Sequence, residues 1–344
     1  MSAFTNYLEK LGSNFLVASM VPSLALVISC ILLFDPILNT GAAFTDPQSV
    51  YGLVSFGLVI FVATVIIGFT LTALNTYILK MFEGYVIPFP MHIVYSLRRR
   101  VHWQRASNMR AHRDSLGSEI LHIEKHLAQN PELEEKLEQL RDQHYKAALD
   151  YDQTYPEDQG DILPTRFGNT LKAAENYTGE RFGFDGVQFW PRLVHVIPAE
   201  YRQSIDAVRN ELSFLVNMSI LSFTFSMLCL FAIFYTMSKT TVNLGGAAVF
   251  LEFLVKTLPY FIALVAGLLI SIFFYNASLF SVGAFGLMIR SSFDLFRLDL
   301  LKKMGLELPK NSIEEFETWY NLNELIILGR HSLTFKKIDY RKKE

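Results

Sequence analysis

Residues Thr257–Ile289 read TLPYFIALVAGLLISIFFYNASLFSVGAFGLMI, 33 consecutive positions without Asp, Glu, Lys, Arg or His. A charge-free run of this length is a membrane signature, since about 20 apolar residues suffice to cross the hydrocarbon layer as a helix. Fully helical, the run is about 50 Å long at 1.5 Å per residue, so part of it emerges from the bilayer.

Three further runs share its character: Asn14–Phe34 (21 residues), Tyr51–Leu79 (29) and Leu212–Met237 (26). The first just spans, while the second and third have length to tilt. A cleaved leader does not fit the first run, which has only Lys10 ahead of it and ends in Phe34-Asp35-Pro36 without a small-residue cleavage pattern. Composition agrees, with 51% of the 344 residues hydrophobic, 14% aromatic and only 19% charged. A typical globular chain is less apolar and more charged. The expected fold is all-α: four transmembrane helices with a mainly helical cytoplasmic region.

Orientation follows from the basic residues. Of the 31, 17 lie in Lys80–Glu211 and 11 in Arg290–Glu344, against two between spans three and four and none between spans one and two. Lysine and arginine collect on the cytoplasmic side, which places both termini inside. The expected organisation is a membrane hairpin over 1–90 (spans about 14–34 and 51–79), then a cytoplasmic region over 91–211. A second membrane hairpin over 212–289 (spans about 212–237 and 259–285) leads to a cytoplasmic helical tail over 290–344. The cytoplasmic region divides into a helical hairpin (91–155) and a Pro/Gly-rich part (156–198). Leu116, Ile120, Ile123 and Leu127 step by 4, 3 and 4, as do Leu133, Leu137, Leu140 and His144, with Asn130-Pro131 as the turn between two antiparallel helices. A helix is expected at Thr165–Tyr177. Another follows Pro198 into span three, and Ser312-Ile313-Glu314-Glu315 has capping-box spacing.

The net charge of −2, and 20 acidic against 17 basic residues in the inner region, give no case for nucleic acid. Cys30 and Cys229 both fall inside spans, so neither a disulfide framework nor a thiolate metal site is indicated. His122 and His126 stand i, i+4 beside Glu119, but no second ligand pair accompanies them, and a solvated helix face is the preferred reading. No cofactor is implied.

Thr64, Gly68, Thr72 and Thr76 recur every fourth residue in span two. Ser219, Ser222 and Ser226 share a face of span three, and Gly267 and Ser271 lie in span four. Small residues let transmembrane helices approach closely, and packing is the preferred account. The sharper alternative is a hydroxyl-lined pore in an oligomer. No span carries an ionisable residue, which weighs against proton-coupled transport. Arg98, Arg99, Arg100 and Arg105, close after span two, point to anionic lipid headgroups.

Arg166, Asn169, Glu175, Arg181, Asp185, Trp190 and Arg192 form the candidate ligand or partner site, because glycines and prolines among them imply irregular backbone of the kind that carries function. No catalytic motif is present: no Gly-x-Ser-x-Gly, no phosphate loop, no His-Glu-x-x-His. The preferred reading is nevertheless that these side chains fasten a small cytoplasmic fold to the helical hairpin by salt bridges, with the site as the sharper alternative. If they form a dedicated site, replacing Arg166 and Arg192 together by Ala disturbs function more than replacing Arg99 and Arg105.

In the same stretch, Pro164-Thr165-Arg166-Phe167-Gly168-Asn169, Ala173-Ala174-Glu175-Asn176-Tyr177, Phe182-Gly183-Phe184-Asp185 and Trp190-Pro191-Arg192-Leu193 resemble a family of uncharacterised bacterial multi-pass membrane proteins. The similarity extends to Phe293–Leu301. The resemblance implies the four-span topology and the inner membrane of a bacterium, and no residue roles.

Three functions are open: an oligomeric channel gated by its cytoplasmic region, a membrane-anchored scaffold or sensor docking a cytoplasmic protein, and a membrane enzyme using the Arg166–His195 stretch. The sequence reading prefers the channel, as a homo-oligomer, and does not favour an enzyme.

Overall fold

The computed structural model describes residues 16–38, 50–86, 92–127, 130, 132–240 and 247–329. Among these there are nine α-helices and no strand. After a π-helical turn at Leu16–Met20 they are α1 (Val21–Leu38), α2 (Val50–Glu83), α3 (His92–His126), α4 (Leu133–Thr154), α5 (Arg166–Phe182), α6 (Gly186–Leu193), α7 (Ala199–Thr240), α8 (Ala247–Lys303) and α9 (Ser312–Leu328). Four stretches are long and apolar enough to cross a membrane: Leu16–Phe34, Val54–Glu83, Ala199–Lys239 and Phe253–Lys303. The chain is an all-helical protein of multi-pass membrane character, and it divides into two compact units.

The first unit comprises Met1–Leu79 and Arg209–Ser281. Its apolar cluster joins Phe34 of α1 to Cys229 and Ala232 of α7 and Tyr260 of α8, with Phe34 stacked on Tyr260 at 5.9 Å between ring centroids. Polar side chains also bond from helix to helix within this unit. Ser219 donates to Ser271 O (3.0 Å) and Ser271 donates back to Ser219 O (2.9 Å). Ser226 packs on Gly267, where a Cβ would overlap its hydroxyl. Asn217, 1% exposed, donates to Ala18 O (2.7 Å), and Ser19 shares a hydrogen bond with Thr72 (3.0 Å). In hydrocarbon such bonds register one helix against another where the hydrophobic effect supplies no force.

The second unit comprises Lys80–Val208 and Val282–Glu344. Helices α3 and α4 form an antiparallel hairpin with Leu116, Ile123, Leu137 and Leu140 buried between them. Asn130 does not cap α4: Glu132 holds the N-cap position without a side-chain bond, and Asn130 O accepts from Leu133 N (3.1 Å). Pro131 lies outside the described residues. The main core gathers Phe184 and Phe189 with Leu193, Ile197 and Ile205, then Phe293, Leu300 and Leu301 of α8, and Trp319 and Leu322 of α9. Ten or so large buried apolar side chains drawn from five segments give this unit its stability.

Sequence periodicity places α5 a turn short. It runs to Phe182, where Gly183 at φ +81 ends it. The capping box at α9 gives way to a plainer cap: Asn311 accepts from Ile313 N and Glu314 N, and Glu315 instead binds Arg297 (2.7 Å).

Candidate functional site

The focus of the second unit is the start of α5. Thr165 caps it, its hydroxyl accepting from Gly168 N (2.9 Å) while its proton goes to Phe82 O (2.7 Å) or Glu83 O (3.0 Å). One side chain thus serves an orphan donor of α5 and an orphan acceptor at the end of α2. The end of α2 is closed by a Schellman turn: Gly84 at φ +92, with Tyr85 N returning to Lys80 O (2.9 Å). Gly168 allows the approach, since a Cβ there would overlap Glu83 O.

Asn169 is fully buried. Its amide oxygen accepts from Leu163 N (2.7 Å) and its nitrogen donates to Leu163 O and Thr165 O (both 2.8 Å). It therefore holds the loop ahead of α5 in shape and presents nothing to a ligand. Asp185 caps α6, accepting from Val187 N (2.8 Å). Trp190 packs against Phe293. Arg192 is exposed, donates to Gln188 O (2.8 Å) and lies over Phe189. Arg181 is exposed over Tyr177, and Arg166 is exposed. The seven candidate residues do not converge on one cavity.

Glu175 does join a group. It pairs with Lys172 (3.6 Å), near Asp161, which accepts from Asn176 (2.6 Å). Burial pushes the Glu175 carboxyl above its ordinary range, with Lys172 opposing. Burial acts to lower the Lys172 ammonium, but Glu175, Tyr85 and Asp161 outweigh it, so Lys172 stays cationic with a raised pKa. A cavity of about 490 Å³ opens here, lined by Tyr85, Tyr95, Ser96, Arg99, Asp161 and Lys172 among others. Arg99 is fixed in its wall by donating to Ile162 O (2.8 Å) and Gly160 O (2.7 Å). The cavity mixes two cations, a carboxylate and hydroxyls, a polar-ligand environment of ordinary pocket size.

The arginine cluster after span two separates into two sets. Arg110 and Arg113 are half-buried and pair with Glu157 (3.0 and 3.3 Å), whereas Arg98, Arg99, Arg100 and Arg105 are exposed, Arg99 with its guanidinium bonded to the 160–162 backbone. Of the four arginines expected at headgroups, Arg99 alone gives two of its guanidinium donors to backbone carbonyls of the chain. His102 is buried between the sets, bonded to Tyr155 Oη (3.0 Å). Burial, then Arg105, Arg98 and Arg166, lower its pKa to about 4.

In the first unit, Ser219, Ser226 and Gly267 are buried, as are Thr64 and Gly68. Ser222 and Ser271 are half-buried, and Thr72 and Thr76 are exposed, Thr72 keeping its bond to Ser19. A cavity of about 320 Å³ between α1, α7 and α8 is lined by Ser222 and Gly267 with mostly apolar neighbours. Among the described residues no group of His, Cys, Asp or Glu is placed to hold a metal ion. His122 and His126 are exposed neighbours, and Glu119 is paired with Lys136 (3.0 Å).

No known protein family, curated protein or solved structure matches this chain.

Several residues that organise the second unit carry no sequence signal. Tyr177 donates to Asp294 (2.8 Å), Arg290 donates to Ala173 O (3.0 Å), and Arg297 lies over Phe182 at 4.2 Å while binding Glu315. The partners are separated by 18 to 117 positions in sequence.

Proposed function

We infer that this protein is a membrane-anchored scaffold or sensor of the bacterial inner membrane, with its second unit in the cytoplasm docking a protein partner. One observation carries the reading. The buried hydroxyls of span three that would line a pore, Ser219 and Ser226, are engaged across helix seams of a single chain, Ser219 with Ser271 and Ser226 against Gly267. A buried, reciprocally bonded serine has no hydration to offer an ion.

The docking surface that suits the reading is α9. Ile313, Phe316, Tyr320 and Ile327 are exposed at i, i+3, i+7 and i+14, one apolar face of a helix whose other side is held by Trp319 and Leu322. The basic-residue asymmetry supports cytoplasmic placement of the second unit.

The oligomeric channel is the competing proposal. Reconstituting the purified full-length chain in proteoliposomes decides between them through mass by light scattering and ion flux. The scaffold reading expects one or two 39.3 kDa chains per particle and flux equal to protein-free lipid. A closed multi-subunit ring with conductance would replace it by the channel.

A further inference from the structure

The first four turns of α3 have two opposite sides. One side, with His102 and Ala106, is buried in the second unit. The other carries Ile93, Val94, Leu97 and Val101, exposed by 62%, 53%, 54% and 48%. At 100° per residue these four fall within an arc of about 100°, roughly opposite the buried pair. Arg100 borders the arc on one edge, and Arg105 and Arg98 border it on the other. All three are exposed, and no acidic residue occurs between His92 and Arg113.

The arc also has a location. Tyr95, Ser96 and Arg99 line the same cavity as Gly84 and Tyr85, and Gly84 directly follows the last residue of the second span. The start of α3 therefore stands beside the end of a membrane helix, where headgroups begin.

We propose that this face of α3 lies on an anionic bilayer surface, its four aliphatic side chains reaching the acyl boundary and Arg98, Arg100 and Arg105 meeting lipid phosphates. A contiguous aliphatic strip is costly in water, and a helix apolar on one side with arginines at both edges is the pattern that partitions into an interface. Trp103, 48% exposed next to the Arg100 edge, is the residue type that settles at headgroup depth. Charge favours lipid over a protein partner: the rim is wholly cationic. The proposal deepens the sensor reading by naming its input, anionic lipid. The two fail separately, because a conducting ring would end that reading and leave this contact standing.

The test uses the full-length chain in a Cys30→Ala/Cys229→Ala background, with nitroxide at Leu97→Cys, at Val101→Cys, or at Leu121→Cys as reference. Leu121 is 60% exposed further along the same helix. In nanodiscs rich in phosphatidylglycerol, the labels at 97 and 101 favour collision with oxygen, and the label at 121 favours the aqueous nickel chelate. Neutralising each of Arg98, Arg100 and Arg105 to Gln weakens the surface contact about fivefold. In phosphatidylcholine alone the preference declines. Brominated lipid supplies a readout without cysteine changes: it quenches the native chain, and Trp103→Phe removes that quenching. Labels at 97 and 101 as water-accessible as the label at 121 in both lipids would overturn the proposal. Labels shielded from both reagents would also overturn it, and would mean a protein covers the face.

Discussion

Gly168→Ala is the sharpest perturbation of the second unit. The added methyl meets the backbone of Glu83, with carbonyl C at 2.9 Å and Cα at 3.0 Å, and overlaps the carbonyl oxygen itself. Backbone atoms at a helix end that is already fixed cannot swing aside as a side-chain tip does. Overpacking of this kind costs about 3 kcal/mol at the upper end, and alanine returns up to about 1 kcal/mol in helix propensity, leaving about 2 kcal/mol of destabilisation. Spread over a unit of about 190 residues, that lowers the unfolding midpoint by about 4–8 °C. All three tryptophans, Trp103, Trp190 and Trp319, belong to this unit, so intrinsic fluorescence during a thermal ramp of the full-length protein reports its unfolding alone. Gly179→Ala is the matched control: same helix, with the new Cβ at an ordinary 3.8 Å from Phe184 O. It should hold or raise the midpoint. A midpoint for Gly168→Ala within one degree of wild type, or above that of Gly179→Ala, would refute the close contact between α5 and the end of α2.

Other expectations follow from the same contacts. Asn169→Leu strips bonding partners from Leu163 N and O in a buried loop, so the tryptophan-detected midpoint should fall by the equivalent of about 2–4 kcal/mol; Arg192→Ala, on an exposed side chain, should change it by less than about 0.5 kcal/mol. His102 is held neutral with a pKa near 4 in the folded protein, below the ordinary value of 6.5. The unfolded state therefore binds more protons between those values, and stability is lost as pH falls from about 6.5 toward 4, by at most roughly 3 kcal/mol. Carboxylates titrate in the same window, so the measurement is the difference in midpoint between wild type and His102→Gln across it. That difference should narrow or change sign as pH falls, and parallel curves would exclude the histidine as the cause. Ser219→Ala and Ser271→Ala each remove one hydroxyl-to-carbonyl bond across the seam, and each should destabilise the full chain in detergent by about 0.6–2 kcal/mol, measured by its unfolding.

The spans were legible in the sequence because hydrocarbon imposes a simple rule: about 20 residues without charge, all backbone bonds internal. The hairpin was legible too, since Leu116, Ile123, Leu137 and Leu140 repeat at helical spacing and bury one another. The cluster at Arg166–His195 stayed open between a site and a fastening for a physical reason. Polar residues among glycines look alike whether they face a ligand or close a loop, and Asn169 and Asp185 do the latter. Whether Thr165 and Gly168 engage the end of α2, or Tyr177 finds Asp294, depends on contacts made across about 80 and 117 positions, for which local pattern carries no information. The arginine run shows the same limit. Arg98, Arg99, Arg100 and Arg105 read as one basic patch, yet Arg99 bonds the 160–162 backbone while the other three border an aliphatic strip.

The account turns on where the span hydroxyls face. Ser219→Cys and Ser226→Cys, made singly in a Cys30→Ala/Cys229→Ala background and probed in proteoliposomes with a water-soluble thiol reagent, test it most directly. Buried seam positions should stay unlabelled until the protein is unfolded, while Leu121→Cys labels at once. Rapid labelling of both positions in the folded protein would place them on a water-filled path, and the channel would replace the scaffold.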